Sequence, residues 1–255
     1  MQQRTENRHL KDEEVHALAQ VGLFSAGIIH EVKNALQGIA NALFLLDSDQ
    51  NLKPRAREWI ADARRELSRA LEVSRETLAL VREENAVPMK ITDVLEDVLS
   101  AYAGKIDYKG ITIERRYEFH ETITADTTAV RQVFANIVLN ALESAPRSQG
   151  KLTIHTRASR ARNGMGYGNG KMASGNGARG VRISFADNGP GIPEQNRERV
   201  FEPLFSTKKG KGSGLGLWIT QQLVRKQHGG LCLRTSSKRS SSGTCFSVFL
   251  PLSQN

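Results

Sequence analysis

The stretch Val181-Arg-Ile-Ser-Phe-Ala-Asp187-Asn-Gly189-Pro-Gly191-Ile-Pro193 joins an alternating apolar segment to a turn that contains two glycines. The alternation predicts a strand that ends at Ala186. Glycines directly after a strand let the backbone approach a flat ligand, and an aspartate there can accept a hydrogen bond from an exocyclic amine such as that of adenine. An isolated stretch of this kind also fits a plain turn. The neighbouring motifs are therefore needed to distinguish a ligand-binding turn from a plain one.

A pair of asparagines precedes this stretch. Asn136 and Asn140 lie four residues apart in a helix predicted over Ala129–Ala145, so both fall on one helical face. Asparagine is unfavourable in helix interiors, so two asparagines on one helical face indicate a specific role. A side-chain amide oxygen is a suitable hard ligand for Mg²⁺, whereas a pair of surface amides is the alternative.

Two aromatic residues and a glycine series follow. Phe201 and Phe205 precede a basic segment that begins at Lys208. Glycine amides that open a helix form a cradle for phosphates, and this series leads into a helix predicted from Thr220. It is not a Walker A loop, because no Gly-Lys-Ser/Thr follows at the required spacing. The series contains Gly212, Gly214 and Gly216.

In order and spacing, the four motifs resemble the ATP-binding domain of sensor histidine kinases, a branch of the GHKL (Bergerat) superfamily with gyrase, Hsp90 and MutL-type ATPases. The resemblance extends from about residue 90 over nearly all of the remaining chain. It implies that Asp187 binds adenine and that Asn140 holds Mg²⁺ with help from Asn136. The ATP-binding residues that it implies are Asn136, Asn140, Asp187, Gly189, Gly191, Phe201, Phe205, Lys208, Gly212, Gly214 and Gly216.

Residues 13–47 predict one long helix with apolar side chains at eight of ten heptad a and d positions. A polar turn and Pro54 begin a second helix, which runs out before Pro88. Two long helices joined by a short loop form an antiparallel hairpin, and two hairpins bury their apolar seams in a four-helix bundle. We therefore expect a homodimer; packing of the hairpin on the rest of the same chain is the alternative.

The first helix contains Ile28-Ile-His30-Glu31-Val-Lys-Asn34, with His30 beside the apolar seam. This segment resembles the phospho-acceptor box of histidine kinases. The resemblance implies that His30 takes the γ-phosphoryl group of ATP and that Glu31 accepts the imidazole proton. It further implies transfer to an aspartate of a response regulator, with Asn34 orienting a water for a phosphatase activity. Glu143 departs from the family, which often has a basic residue there.

The predicted domains are a lead over residues 1–12, the helical hairpin over 13–87 and the ATP-binding domain over 88–255. Short helices and β-branched strands in the last domain predict an α+β sandwich, with an antiparallel sheet on one side and helices on the other. Residues 163–180 hold seven glycines among 18 residues and predict a flexible loop.

The composition limits location and partners. No apolar run approaches the roughly 20 residues that span a bilayer, no secretory signal is evident, and two cysteines cannot build a disulfide framework. We expect a cytoplasmic protein without its own membrane span, which either is part of a longer receptor or takes its signal from a separate sensor protein.

The charge is uneven along the chain. Residues 1–87 hold 12 Lys and Arg against 14 Asp and Glu, and the remainder holds 24 against 13. This positive charge would attract a nucleotide or an acidic partner protein as well as a nucleic acid. The sequence contains no known nucleic-acid-binding motif. The alternative functions are a GHKL-fold ATPase that does not phosphorylate itself and a degenerate kinase that acts as a dimeric scaffold.

Overall fold

The computed structural model describes residues 34, 36–47, 52–81, 85–146, 148–161, 177–207, 214–238 and 242–253. The chain divides into two compact units, of which the first ends at Glu83 and the second begins at Glu84.

The described residues of the first unit contain two helices. Helix α1 is helical at residue 34 and over 36–47, and helix α2 spans Pro54–Val81. Pro54 is tolerated in the first turn because the amide hydrogen that it lacks would have no helical partner there. Ile60, Leu67 and Ser74 are buried at a spacing of seven residues, which is the repeat expected of a helical seam.

Large apolar side chains of this unit also lie in solvent. The exposed residues are Ile39, Phe44, Leu45 and Leu46 on α1 and Trp59 on α2. An ion pair of 2.7 Å between Arg64 and Asp47 links α2 to the end of α1. The antiparallel hairpin and the four-helix bundle of a dimer both stay predictions.

The second unit alternates short helices and strands. In chain order its elements are β1 (Ala86–Lys90), α3 (Ile91–Ala101), α4 (Ala103–Lys109), β2 (Thr112–Tyr117), β3 (Thr122–Asp126), α5 (Thr127–Ser144), β4 (Lys151–Arg160), β5 (Arg179–Asp187), two short 3₁₀ turns (Glu194–Asn196 and Arg199–Phe201), α6 (Gly216–Lys226), β6 (Gly230–Ser236) and β7 (Gly243–Pro251).

Five of these strands form one sheet in the order β2-β4-β5-β7-β6, and β1 pairs with β3 in a separate two-stranded ribbon. The expectation of a wholly antiparallel sheet is wrong, because β2 and β4 run parallel while the other pairs are antiparallel. The connection between β2 and β4 includes β3 and α5, and a connection of this length is what a parallel pair requires.

One face of the sheet is apolar. Along β4 and β5, buried residues such as Ile154 and Ile183 alternate with outward residues such as His155 and Arg182. The Phe134 ring of α5 lies 5.5 Å from the Phe185 ring of β5, and both are fully buried. The predicted layering, with helices on one side of a sheet, therefore agrees with the structure.

Two helices begin earlier than the sequence predicts, and a side-chain cap explains the start of α5. The Asp126 carboxylate accepts hydrogen bonds from the backbone amides of Thr128 and Ala129 at 2.8 and 3.1 Å and so caps α5. This cap places the start of α5 two residues before the predicted one. Helix α6 begins at Gly216, which is four residues before the predicted start at Thr220.

The expected flexible loop over 163–180 is wrong at its end, because Arg179 and Gly180 belong to β5 and pair with β4. A Cβ atom at Gly180 would lie 2.7 Å from the Phe249 ring, so this position is tightly packed. Within the described ranges, no helix is both long enough and apolar enough to cross a membrane.

Replacing Phe134 tests the core. Phe134→Ala should destabilise the second unit by about 3–5 kcal/mol, because it removes a buried ring and leaves a cavity beside Phe185. Tyr108→Ala is the matched control, since Tyr108 is 80% exposed and should cost less than about 0.5 kcal/mol. Urea unfolding followed by circular dichroism measures both, and an equal effect of the two variants would contradict the packing described.

Candidate functional site

Asp187 ends strand β5 with a carboxyl group that is largely removed from solvent. Its Oδ1 atom accepts a hydrogen bond of 2.8 Å from the backbone amide of Gly189. Burial raises the pKa of this carboxyl above its ordinary value, and hydrogen bonds from the backbone amides of Gly189 and Thr244 oppose the shift only in part. A half-buried carboxylate held in this way is a positioned acceptor for a ligand amine.

At two positions of the following turn, neighbouring atoms leave no room for a side chain. A Cβ atom at Gly189 would lie 2.8 Å from Asp187 Oδ1 and 3.1 Å from Ser144 Oγ. Gly191 has a φ of +74°, and a Cβ atom there would overlap the carbonyl group of Ser236. The turn is therefore closed to side chains at both positions, as the sequence pattern predicts.

Two side chains fix this turn in place. Asn188 Oδ1 accepts from the Lys151 amide at 2.7 Å, and its Nδ2 donates to the Gln149 carbonyl at 2.8 Å. Thr235 Oγ1 accepts from the Ile192 amide at 2.8 Å and donates to the Gly243 carbonyl at 3.0 Å.

The sequence motifs do not predict the anchoring roles of Asn188 and Thr235. An asparagine directly after the aspartate was the available signal for Asn188, because this residue favours local hydrogen bonds in turns. The role of Thr244 leaves no such signal, because its backbone amide makes the hydrogen bond to Asp187.

Asn136 joins α5 to the first turn of α6. Its Nδ2 atom donates to the Gly216 carbonyl at 3.0 Å and to Thr220 Oγ1 at 3.3 Å, and its Oδ1 accepts from Gln132 Nε2 at 2.9 Å. Asn136 is buried, and Asn140 is half-buried one turn further along α5. The structure thus brings the first asparagine and the last glycine of the predicted motifs into contact, with the Asn136 amide oxygen already engaged.

The aromatic motif is anchored by its first ring. Phe201 is buried and lies edge-on to Phe246 with ring centres 6.5 Å apart. Phe205 is half-buried, and the Arg199 guanidinium lies 4.3 Å from its ring centre, which is a cation–π distance.

Gly214 packs closely against the backbone of this motif at Leu204. It has a φ of +72°, and a Cβ atom there would lie 2.7 Å from the Leu204 carbonyl carbon. A glycine is therefore needed at this close approach.

Several predicted site residues cannot be placed. His30, Glu31, Lys208 and Gly212 lie outside the described residues. Asn34 is exposed on α1 in the first unit, and nothing in that unit tests the role expected of it.

Comparison with known families identifies the second unit. Residues 125–254 match the family described as histidine kinase-, DNA gyrase B-, and HSP90-like ATPase. This range is half of the chain and contains Asn136, Asp187 and Gly216, and the chain belongs to this family. The predicted GHKL-type ATP-binding fold is therefore confirmed.

A curated relative with similarity along most of the chain is sporulation kinase B of Bacillus subtilis (strain 168). The two sequences are 26% identical over 254 residues, which is 96% of this chain and 54% of the relative. The chain spans between 26% and 54% of the length of the first curated relatives that it matches.

Two solved structures share the fold. Full-length ShkA in complex with AMPPNP has a TM-score of 0.65 at 24% identity, over 91% of this chain and 46% of that one. The histidine kinase ThkA in complex with the response regulator protein TrrA has a TM-score of 0.56 at 21% identity, over 98% of this chain and 66% of that one.

Replacing Asp187 by asparagine separates binding from stability. Because burial raises the folded-state pKa of Asp187, its contribution to stability is fully present below the unfolded pKa and is lost as pH rises through the folded pKa. Asp187→Asn should therefore melt at an equal or higher temperature than the parent protein at pH 7 without nucleotide, and the difference should shrink towards acid pH. Its affinity for a fluorescent ADP analogue should fall about 10- to 100-fold.

Asp107→Asn is the control, since Asp107 is exposed on α4. It should change neither the melting temperature nor the affinity. Unchanged nucleotide affinity in Asp187→Asn would refute the role of Asp187, and a marked loss of stability at pH 7 would contradict the cost of burying its charge.

Proposed function

We propose that this chain is an ATP-dependent protein-histidine autokinase that phosphorylates its own His30 and passes the phosphoryl group to an aspartate of a response regulator. The proposal rests first on the half-buried Asp187 carboxyl, which stands at a turn where Gly189 and Gly191 leave no room for side chains. The family match and the likeness to sporulation kinase B along both units support it further. The likeness to a kinase in complex with a response regulator supports the choice of partner.

ATP binding in this proposal uses the contacts of the second unit. The Asp187 carboxylate accepts the exocyclic amine of adenine, and Gly189 and Gly191 let the base approach the backbone. Phe201 and Phe205 precede the segment with Lys208, Gly212 and Gly214, which we propose closes over the phosphates. Gly216 opens α6, whose first amides suit an anion.

The side chains of α5 suit a magnesium ion. A half-buried amide oxygen is a hard ligand of the kind that Mg²⁺ prefers, so Asn140 would hold the ion. Asn136 would help mainly by position, because its oxygen accepts from Gln132 and its nitrogen ties α5 to α6. When bound, Mg²⁺ neutralises charge on the phosphate oxygens.

The transfer itself needs few groups. A neutral His30 ring nitrogen attacks the γ-phosphorus of ATP, a nitrogen–phosphorus bond forms, and the bond to the leaving ADP oxygen breaks. Glu31 accepts the proton from the other ring nitrogen as the ring becomes acidic. The phosphoryl group then passes to the carboxylate of the regulator, which restores the imidazole. Asn34 is proposed to orient a water that later removes the phosphoryl group from the regulator.

The cytoplasm is the proposed location, and the proposed assembly is a homodimer. Ile39, Phe44, Leu45 and Leu46 form an apolar, solvent-exposed segment at the end of α1. Exposed apolar surface of this kind is rare on stable monomers and fits a second copy of the same hairpin.

Sedimentation velocity tests the assembly. The protein should sediment as a species of twice the 28.2 kDa chain mass, and Leu46→Asp should shift it towards monomer, because Leu46 lies on the apolar seam and a charge would then be buried in the bundle. Leu204→Asp is the matched control, since Leu204 is also exposed, lies in the second unit and should leave the dimer intact. A parent protein that is monomeric at micromolar concentration would contradict the proposal.

Radiolabelling with γ-³²P-ATP tests the phosphorylation. The protein should acquire a label that is stable in base and lost in acid, as a phosphoramidate is, and His30→Gln should not be labelled. His120→Gln should be labelled like the parent, since His120 is exposed elsewhere. Asn34→Ala should retain the label and slow the loss of phosphate from a receiver domain.

The remaining outcomes identify the alternatives. ATP hydrolysis without protein labelling would favour a GHKL-fold ATPase that does not phosphorylate itself. Absence of ATP binding by calorimetry would favour a degenerate kinase that acts as a dimeric scaffold. An acid-stable label would contradict histidine as the acceptor.

A further inference from the structure

Five arginines line one groove, and four of them lie on β4 and β5 towards the end that is remote from Asp187. The groove has a volume of about 550 Å³, and among the described residues that line it Glu121 is the single acidic one. Arg179 lies eight residues before Asp187 on β5, which is about 26 Å along an extended strand. The arginines are Arg157, Arg160, Arg179, Arg182 and Arg234.

Strand pairing sets these arginines directly against one another. Arg157 is the register partner of Arg182, and Arg160 is the register partner of Arg179. The neighbours of the first pair along the strands, Thr156 and Val181, are fully buried, so alternation directs Arg157 and Arg182 to the outer face of the sheet. Like charges opposite each other in a sheet are destabilising, and an anion that binds both would relieve the repulsion.

For four of the five arginines, the described residues supply little of that relief. Arg179 makes a long contact of 3.6 Å with Glu121, in which both side chains are more than half exposed. Arg182 is the exception, and the Ser159 hydroxyl at 3.4 Å is one of its partners. Among the described side chains, Arg157, Arg160 and Arg234 form no ion pair, and all three are exposed.

The surroundings favour a short acidic peptide over nucleic acid. Along the neighbouring strand β2 the surface is of mixed charge, because Glu114 is paired with Arg116 and Lys151, and Glu118 follows the strand beside His155. A nucleic acid needs a continuous basic track, which this mixture of charges interrupts. The aromatic ring of the groove, Phe119, is 3% exposed and offers no face on which a base could stack.

We propose that this groove is a docking site for an acidic, carboxylate-rich segment of a protein partner. Guanidinium groups are planar forks that bind carboxylates through two parallel hydrogen bonds, so the Arg157–Arg182 pair on the outer face suits an acidic side chain. Alternation directs the Arg160–Arg179 pair to the other face, where both residues still line the groove. The proposal does not depend on ATP or on His30, because these two pairs lie on β4 and β5 away from Asp187, whereas Arg234 of β6 lies nearer to it.

Fluorescence anisotropy of a labelled peptide tests the docking site. The 255-residue chain is titrated into a peptide of about eight consecutive glutamates at low salt, without nucleotide. Arg157→Ala with Arg182→Ala should weaken binding about tenfold or more, as expected for the loss of charge-assisted hydrogen bonds. Arg160→Ala with Arg234→Ala is a second double variant, in which both replaced residues are exposed and folding is least at risk.

The control removes the same charge elsewhere. Lys90→Ala with Arg225→Ala lies outside the groove at two exposed positions and should change peptide affinity less than about twofold. Equal weakening in all three double variants would overturn the proposal in favour of net charge alone. Tighter binding of a single-stranded oligothymidylate of the same charge, or no peptide binding by the parent protein, would overturn it as well. Unchanged affinity for a fluorescent ADP analogue verifies that each variant is folded.

Discussion

The geometry of the candidate nucleotide site depends on one buried side chain. The Asn136 carboxamide donates to α6 through Gly216 and Thr220 and accepts from Gln132 within α5, so it fixes the two helices to each other where the glycine motif ends. An apolar side chain of similar size would remove both links to α6 and the acceptor of the Gln132 amide, although the Thr220 hydroxyl would still donate to the Gly216 carbonyl at 2.8 Å. The same asparagine that a sequence motif marks for metal binding is therefore first a structural connection.

Asp187 shows the opposite balance between stability and function. Its charge is unfavourable where it lies, because burial outweighs two backbone hydrogen bonds, yet this partial burial keeps water from competing for the carboxylate. A surface aspartate would be easier to fold and a weaker acceptor for an amine. The turn that follows is equally specialised, because Gly191 adopts a left-handed φ that permits its close approach to Ser236.

Sequence periodicity was sufficient for the larger elements, and tertiary contacts decided the rest. Strands β4 and β5 alternate so regularly that their buried face could be predicted, and the Asp187 turn follows from its glycines. The ribbon of β1 and β3 was missed because both strands are five residues long and the first contains Pro88. The parallel pairing of β2 could not be predicted from its own residues, because direction is set by how the chain returns through α5. The hydrogen bond from Thr244 to Asp187 was equally inaccessible, because any residue supplies the same backbone amide.

The order of the sheet has a consequence for synthesis of the protein. Strand β7 is the last described strand in the chain, yet it lies inside the sheet between β5 and β6. Until it emerges from the ribosome, β5 presents an unpaired edge with Val181, Ile183 and Phe185 on its apolar face. The second unit therefore cannot complete its sheet until β7 has been translated, and the apolar edge of β5 is open to aggregation in the interval between the emergence of β5 and that of β7.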